Sequence, residues 1–331
     1  MEESHRASVT APEIPGPGEV LTLDQVRAAD FSGVTPLAVL GYPIKHSVSP
    51  QMHNAALAVL ARSDPKFSNW RYYRIEVPPE RLKEALDLLA AKGFLGLNLT
   101  IPHKVEVLEF LKSKHSSSNV YGSANTLAFS PDGWEGYNTD GVGFVEAVLS
   151  PPISFFSRSD DVVLVGAGGA ARAVGAELLR NDSRPYICNR GLVRLNEVVR
   201  VLSVSFPRAD IHKFDLAHPP SDLPRAPLVV NVTSLGLKAD DPSPIDLSLF
   251  GPGTRVFDTT YGRHRSALLK QADALGFPAS NGLPMLVHQG ARSLSLWIAE
   301  FKDKGLPPNA AAAMFVAAYS ALGITPPHNH A

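Results

Sequence analysis

The segment that most constrains the fold of this chain is a short strand followed by a glycine-rich turn and a helix. Asp161–Val165 is an apolar run, and Gly166-Ala167-Gly168-Gly169-Ala170-Ala171 follows it directly. This is the G-x-G-x-x-A form of the dinucleotide-binding fingerprint, in the strand-to-helix context that its mechanism requires. Gly166 permits the tight turn, Gly168 lets the backbone approach a pyrophosphate, and Ala171 lets the helix pack closely on the strand.

The helix after this turn would offer free N–H groups and a partial positive charge to phosphates. A plain glycine turn is the alternative, but the strand and helix around it favour a dinucleotide site. The predicted cofactor-binding residues of this Rossmann-type unit are Gly166, Gly168, Gly169, Ala170 and Ala171.

The rest of the chain alternates strand-like and helix-like segments, which is typical of an α/β protein with a mostly parallel sheet. Segment 150–160 interrupts this alternation and predicts a hinge between two domains. Predicted strands cover residues 37–41, 72–77, 95–101, 123–129, 185–188, 210–214, 228–233 and 254–260. Predicted helices begin near Ser49, Pro79, His103 and Thr139, and the chain is helical from Pro284 to about Leu322.

Composition excludes several classes of protein. The 31 basic and 32 acidic residues argue against the broad basic surface of a general nucleic-acid-binding protein. A hydrophobic content of 44% is too high for a disordered chain. The single cysteine, Cys188, excludes an internal disulfide and a cysteine-rich zinc site, and we expect no metal. It also favours a reducing compartment, which we take to be the cytoplasm.

The termini and the apolar runs indicate no membrane partner. No run approaches the roughly 18–20 apolar residues of a membrane helix. The N-terminus lacks the apolar core of a secretory signal, and we interpret residues 1–32 as a leader outside the fold.

The second strand of the Rossmann-type unit ends at Cys188-Asn189-Arg190, about 20 residues after the fingerprint. NAD enzymes place an acidic residue there for the ribose 2′-hydroxyl, whereas this chain has Arg190, with Arg194 one turn later. Two guanidinium groups suit the 2′-phosphate of NADP. Solvated surface arginines are the alternative, and the fingerprint upstream favours NADP.

Polar residues also cluster where predicted strands end in the first half. Ser47 and Ser49 lie near a helix N-terminus, where their hydroxyls could hold a substrate carboxylate, although Ser49 could simply cap that helix. Lys104 follows another strand, where a lone lysine is usually only solvated. Asn125 lies in a strand, and Asp140 is at a helix start that it could equally cap.

Considered together, these clusters resemble one known family. The segments GYPIKHSVSPQMHN, GLNLTIPHK, SANTL, GYNTDGVGF, GAGGAARA, NR-x3-R and MLVHQG occur in the order seen in shikimate dehydrogenases. The resemblance covers roughly residues 37–300, and the motifs are individually long. The chain is therefore identified as similar to the biosynthetic, NADP-dependent shikimate dehydrogenases.

The resemblance implies roles for individual residues. Ser47 and Ser49 match the hydroxyls that bind the substrate carboxylate, and Lys104 and Asp140 match the catalytic pair. The residues that match the substrate-ring contacts and cleft are Thr100, Asn125, Tyr261 and Gln289. Those that match the adenosine clamp are Asn189, Arg190 and Arg194, and Gly282 is added to the cofactor-binding set.

It also implies a reaction and an architecture. The reaction is the reversible NADPH-dependent reduction of 3-dehydroshikimate to shikimate, in chorismate and aromatic amino acid biosynthesis. The substrate domain would comprise residues 33–145 and 284–325, and the NADP-binding domain residues 146–283, with a cleft between them. The expected partner is this small substrate, without nucleic acid, and the chain would be a monomer or homodimer.

The expected chemistry agrees with these residue types. Reduction of a ketone needs a hydride, which the cofactor supplies, and a proton on oxygen. The Lys104 ammonium would polarise or protonate the developing alkoxide. Whether Lys104, Asp140 or a water takes the proton in the reverse direction stays open.

Two departures from the family pattern leave alternatives open. Gly191 stands where a threonine usually follows Asn-Arg, which could weaken 2′-phosphate binding. Segment 262–266 reads Gly-Arg-His-Arg-Ser, where a proline and then a threonine usually follow the tyrosine. The alternatives are an NAD-using quinate/shikimate dehydrogenase, which would want an acidic residue at 188–191, and a non-catalytic metabolite sensor, which would be expected to lose part of the Lys104/Asp140 pair.

Overall fold

Apolar strands assemble into two sheets in the computed structural model, which describes residues 16, 18–150 and 153–325. Each sheet has apolar clusters on both of its faces, because helices and loops cover it from both sides. The predicted α/β class, with one Rossmann-type unit, is confirmed.

The first sheet contains seven strands: β1 (Val20–Leu21), β2 (Thr35–Gly41), β3 (Trp70–Glu76), β4 (Gly96–Leu99), β5 (Ser113–Lys114), β6 (Thr126–Ser130) and β7 (Gly133–Tyr137). Their order is β1-β3-β2-β4-β6-β7-β5. β6 is antiparallel to β4 and β7, and the other pairs are parallel. The helices of this half are α1 (Leu23–Ala28), α2 (Ser49–Ser63), α3 (Leu82–Ala91), α4 (His103–Glu106), α5 (Ser116–Tyr121) and α6 (Asp140–Leu149).

The second sheet contains six parallel strands: β8 (Asp161–Val165), β9 (Arg184–Asn189), β10 (His212–Asp215), β11 (Leu228–Asn231), β12 (Arg255–Asp258) and β13 (Ala279–Asn281). The order β10-β9-β8-β11-β12-β13 reverses direction between β8 and β11. Open α/β sheets bind ligands at the carboxyl ends of strands at such a point. The remaining helices are α7 (Gly169–Arg180), α8 (Leu192–Ser205), α9 (Ala267–Leu275), α10 (Leu283–Trp297) and α11 (Pro308–Leu322).

The two C-terminal helices return to the first sheet. Leu294 and Trp297 of α10 and Met314 of α11 share an apolar cluster with residues of α2 and β2. Helix α6 lies between α10 and α7, because glycines allow close approach on both of its sides. A Cβ at Gly141 would lie 2.6 Å from the Ala173 carbonyl oxygen of α7, and one at Gly143 would lie 2.7 Å from Gln289 of α10. The start of α6 is thus held against both halves of the chain.

The expected leader needs correction. Residues 20–28 form β1 and α1, and β1 pairs with β3. Leu21, Leu23 and Val26 are almost fully buried in the core. The expectation that residues 1–32 lie outside the fold is therefore wrong from residue 20 onward, while residues 1–15 lie outside the described residues. Two prolines of the expected hinge, Pro151 and Pro152, also lie outside them.

Candidate active site

Lys104 and Asp140 meet at the starts of two helices that follow strands of the first sheet. Lys104 is in the short helix α4 after β4, and Asp140 is the first residue of α6. Lys104 Nζ donates to Asp140 Oδ2 at 2.6 Å, and Asp140 is only 3% exposed. Thr139, not Asp140, is the N-cap of α6, so the carboxylate faces the lysine instead of capping its helix.

The second oxygen of Asp140 is held by Asn125. Asn125 Nδ2 donates to Asp140 Oδ1 at 2.8 Å and to Gln289 Oε1 at 3.1 Å. Asn125 Oδ1 accepts the Thr139 backbone N–H at 2.8 Å and the Thr126 hydroxyl at 2.9 Å. Because two donors hold the Asn125 oxygen, only one orientation of the amide fits, and its NH₂ group faces Asp140.

A buried polar layer supports Asn125 from behind, and sequence reasoning missed it. Asn98 Nδ2 donates to Ser293 Oγ at 2.9 Å, and Ser293 Oγ lies 2.8 Å from Thr126 Oγ1 and donates to the Gln289 carbonyl. The Tyr72 hydroxyl donates to Asn98 Oδ1 at 2.8 Å. The only signal was an asparagine inside the apolar run of β4, which needs a buried partner.

Replacing Ser293 by alanine should lower the free energy of unfolding by about 1–3 kcal/mol, because buried partners lose a hydrogen bond. The midpoint of urea unfolding measures this. Ser295→Ala is the matched control, since Ser295 is also buried on α10 but its hydroxyl reaches only the Ala291 carbonyl of its own helix. Equal midpoints for the two variants would contradict a supporting role for the layer.

The turn before α2 carries the two predicted carboxylate-binding serines. Ser49 is the first helical residue, and the N-cap is Val48, which makes no side-chain capping bond. The prediction that Ser49 caps this helix is therefore wrong. Ser47 Oγ accepts the Ser49 N–H at 3.3 Å, and the nearby Tyr72 hydroxyl donates to Asn98 Oδ1. Burial raises the pKa of Tyr72 well above its usual value, and the Ser49 side chain opposes that shift.

Other predicted substrate contacts lie around these groups. Gln289 is buried on α10, and its Nε2 donates to the Leu286 carbonyl at 2.8 Å. Thr100 follows β4, where its methyl group packs close to Gly41. Tyr261 is partly buried after β12, and burial raises its pKa to about 12. The structure thus groups Asn125 and Gln289 with the Lys104/Asp140 pair.

The dinucleotide turn lies directly beside this pair. Gly166 has a positive φ of 129°, as the tight turn requires, and Gly168 is the extended N-cap of α7. A Cβ at Gly168 would meet nothing within 4 Å, so the turn is open to a phosphate, whereas Ala171 is fully buried. A Cβ at Gly169 would lie 3.4 Å from Lys104 Cβ. The turn and α7 therefore fit a pyrophosphate close to the lysine.

The predicted adenosine clamp follows β9. Asn189 Nδ2 donates to the Gly191 carbonyl at 2.9 Å, which shapes the turn into α8. Arg190 and Arg194 are exposed, and neither pairs with a carboxylate in the described part of the chain. Both are therefore free to hold a 2′-phosphate. Gly282 is the N-cap of α10, and a Cβ there would collide with the Thr259 backbone, so only glycine fits at this position. A role of Gly282 in cofactor binding stays a prediction.

The unusual loop 262–266 is tied to its neighbours. The His264 ring nitrogen Nε2 lies 2.9 Å from the Gly236 carbonyl of the loop after β11, and Arg265 pairs with Asp273 of α9. Across residues 16, 18–150 and 153–325, no group of histidine, cysteine or acidic side chains could hold a metal ion. None of the helices in those ranges is long and apolar enough to cross a membrane.

Comparisons with known proteins agree with this arrangement. The family model described as shikimate dehydrogenase substrate binding domain matches residues 39–127. A shikimate dehydrogenase (NADP(+)) from Citrifermentans bemidjiense is 35% identical over 292 residues, covering 86% of this chain and 97% of that protein.

Two solved structures are similar over most of the chain. Shikimate 5-dehydrogenase from Thermus thermophilus, in complex with NADP(H) and shikimate, is 30% identical with a TM-score of 0.72, covering 87% of this chain and 100% of that one. Quinate dehydrogenase from Corynebacterium glutamicum, in complex with NAD, is 28% identical with a TM-score of 0.69, covering 80% and 94%. From its residues, its fold and these relatives, the chain belongs to the shikimate dehydrogenase family.

Proposed function

We propose that this protein is an NADP-dependent shikimate dehydrogenase that reversibly reduces 3-dehydroshikimate to shikimate. The observation that carries the proposal is the 2.6 Å contact of Lys104 with Asp140 directly against the dinucleotide turn at Gly169. A polar acid–base pair beside an open pyrophosphate site suits hydride transfer with coupled proton transfer.

In the proposed mechanism, the ring carbonyl carbon would receive a hydride from NADPH bound at the dinucleotide turn. The Lys104 ammonium donates toward the oxygen on which negative charge develops, and this stabilises the alkoxide. Asp140 holds Lys104 Nζ in position, and Asn125 orients Asp140. The oxygen then takes its proton from Lys104, Asp140 or a water, and the same group accepts the hydroxyl proton in the reverse direction.

The substrate would lie between the two serines and the catalytic pair. Ser47 and Ser49 bind its carboxylate at the N-terminus of α2. The ring hydroxyls contact Thr100, Asn125, Tyr261 and Gln289. We also propose that residues 33–145 with 284–325 form the substrate domain and residues 146–283 the NADP domain.

The proposed setting is chorismate and aromatic amino acid biosynthesis in the cytoplasm. The only cysteine in the sequence, Cys188, is a free buried thiol, and burial raises its pKa, which fits a reducing compartment. A monomer or homodimer is expected, and sedimentation of the purified protein distinguishes the two.

The direct test of the activity is the absorbance of the reduced cofactor when shikimate is added to purified protein with NADP. A shikimate-dependent rise supports the proposal. Protein that binds shikimate but produces no reduced cofactor with either NADP or NAD would instead favour the metabolite-sensing alternative.

Cofactor choice gives a second test. We expect NADP to be favoured over NAD by at least tenfold in kcat/KM, which needs only ~1.4 kcal/mol. Arg190→Ala should remove most of this preference and leave the NAD rate nearly unchanged, because the guanidinium contacts only the extra phosphate. Steady-state rates with both cofactors measure it, and Arg200→Ala, an exposed arginine further along α8, is the control. Equal efficiency in the unmodified protein would favour the NAD-using quinate/shikimate alternative.

A further inference from the structure

Arg74 is a buried cation without a counter-charge. It lies in β3 and is only 6% exposed. Its Nη1 donates to the Lys45 carbonyl at 2.6 Å and its Nη2 reaches Gln51 Oε1 at 3.5 Å, while Nε has no hydrogen-bond partner. No carboxylate oxygen in the described part of the chain lies within 4 Å of this guanidinium.

The nearest acidic residue in β3 does not neutralise the charge of Arg74. Glu76 lies two positions along β3, on the same side of the pleat, and its carboxylate accepts the Ile44 N–H at 3.5 Å. Buried charges in proteins are normally paired, because desolvation of a single ion is unfavourable. The surroundings of Arg74 therefore lack one negative charge that a ligand could supply.

The guanidinium lies beside the groups assigned to the substrate carboxylate. Lys45 belongs to the turn that contains Ser47, and Gln51 is in the first turn of α2, two residues after Ser49. Burial raises the pKa of the Tyr261 phenol, and the positive charge of Arg74 opposes that shift. The turn that carries Ser47 and the helix that begins at Ser49 thus both accept hydrogen bonds from the Arg74 guanidinium.

We infer that Arg74 supplies the positive charge of the substrate-carboxylate subsite and makes the protein discriminate between a carboxylic acid and its neutral ester. The helix N-terminus and two hydroxyls favour a carboxylate, but an ester carbonyl can accept the same hydrogen bonds, whereas a full cation adds an attraction that the neutral ester lacks. This inference rests on the proposed function, since it assigns a residue to the substrate of that reaction.

The test compares shikimate with its methyl ester by titration calorimetry on four proteins. Arg74→Gln keeps hydrogen-bond donors but removes the charge, and Arg74→Lys keeps the charge. Arg71→Gln is the matched control, because Arg71 is on the same strand but exposed, and it bonds only backbone carbonyls. Shikimate and its methyl ester are titrated into the same protein sample. A loss of folded protein therefore affects both titrations equally and cancels in the ratio of the two dissociation constants.

We expect the wild type and Arg71→Gln to bind the acid at least tenfold more tightly than the ester. Arg74→Gln should lower that ratio by about tenfold, and Arg74→Lys should keep it within about threefold of the wild type. Turnover at saturating shikimate should fall far less than affinity, since the proposal assigns Arg74 to the carboxylate and not to the reacting carbonyl.

Two outcomes separate the possible failures. An unchanged acid-to-ester ratio in Arg74→Gln would overturn the assignment of Arg74, as would an Arg74→Lys variant that folds normally but loses the ratio completely. Wild-type protein that neither binds nor oxidises shikimate would contradict the proposed function itself.

Discussion

Replacing Lys104 by alanine should lower kcat by about two to four orders of magnitude, the usual contribution of a positioned acid–base group. The lysine Nζ is the group that Asp140 holds at 2.6 Å, next to the dinucleotide turn. Asp140→Asn should have a similar effect, because the amide keeps the shape but loses the charge that positions Nζ. Steady-state rates with shikimate and NADP measure both variants.

Binding of NADP should barely change in either variant, because the proposed pyrophosphate and adenosine contacts come from α7 and the turn into α8. Fluorescence titration with NADPH tests this separately from turnover. Lys112→Ala, at an exposed lysine shortly after α4, controls for loss of positive charge in general. A Lys104→Ala enzyme with near-normal turnover would refute the catalytic assignment.

The sequence predicts that three side chains lie close together, because each is at or near a strand end or a helix start: Lys104, Asn125 and Asp140. Such positions gather at one edge of a sheet, where side chains project into a cleft. The motifs around these residues are also long enough to identify a family. Local sequence and resemblance together therefore led to the central pair and to the dinucleotide turn.

The supporting polar layer could not be predicted in the same way. Asn98 and Ser293 lie 195 positions apart, and their hydrogen bond depends on the register of α10 against β4. Neither residue has a local pattern that points to the other. The unpaired state of Arg74 is likewise a property of its surroundings, since an arginine in a strand normally extends into solvent.

The wrong N-terminal boundary had a detectable cause. β1 is only two residues long, so it has no alternation to recognise. Thr22 and Gln25 form a capping box, and this threonine-x-x-glutamine spacing was readable in the sequence as a helix start. The proline-rich segment before it is typical of an unfolded leader, and it therefore predicts a boundary too far along the chain.

Ser49→Ala should raise the Michaelis constant for shikimate roughly tenfold to 100-fold, because a hydrogen bond to a charged group contributes about 1.5–3 kcal/mol. Ser47→Ala should act in the same direction. kcat should change little, since the carboxylate is bound equally in the ground and transition states. Initial rates over a range of shikimate concentrations at saturating NADP separate the two constants.

The thermal stability of Ser49→Ala decides what the hydroxyl does. A capping serine lost to alanine costs about 0.5–2 kcal/mol, but Val48 occupies the cap of α2 and Ser49 is already helical. Tyr72 keeps its bond to Asn98 without Ser49, so the melting temperature should stay near that of Ser63→Ala, a control at the exposed end of the same helix. An unchanged Michaelis constant with a clearly lower melting temperature would make Ser49 a structural residue and move the carboxylate to another site.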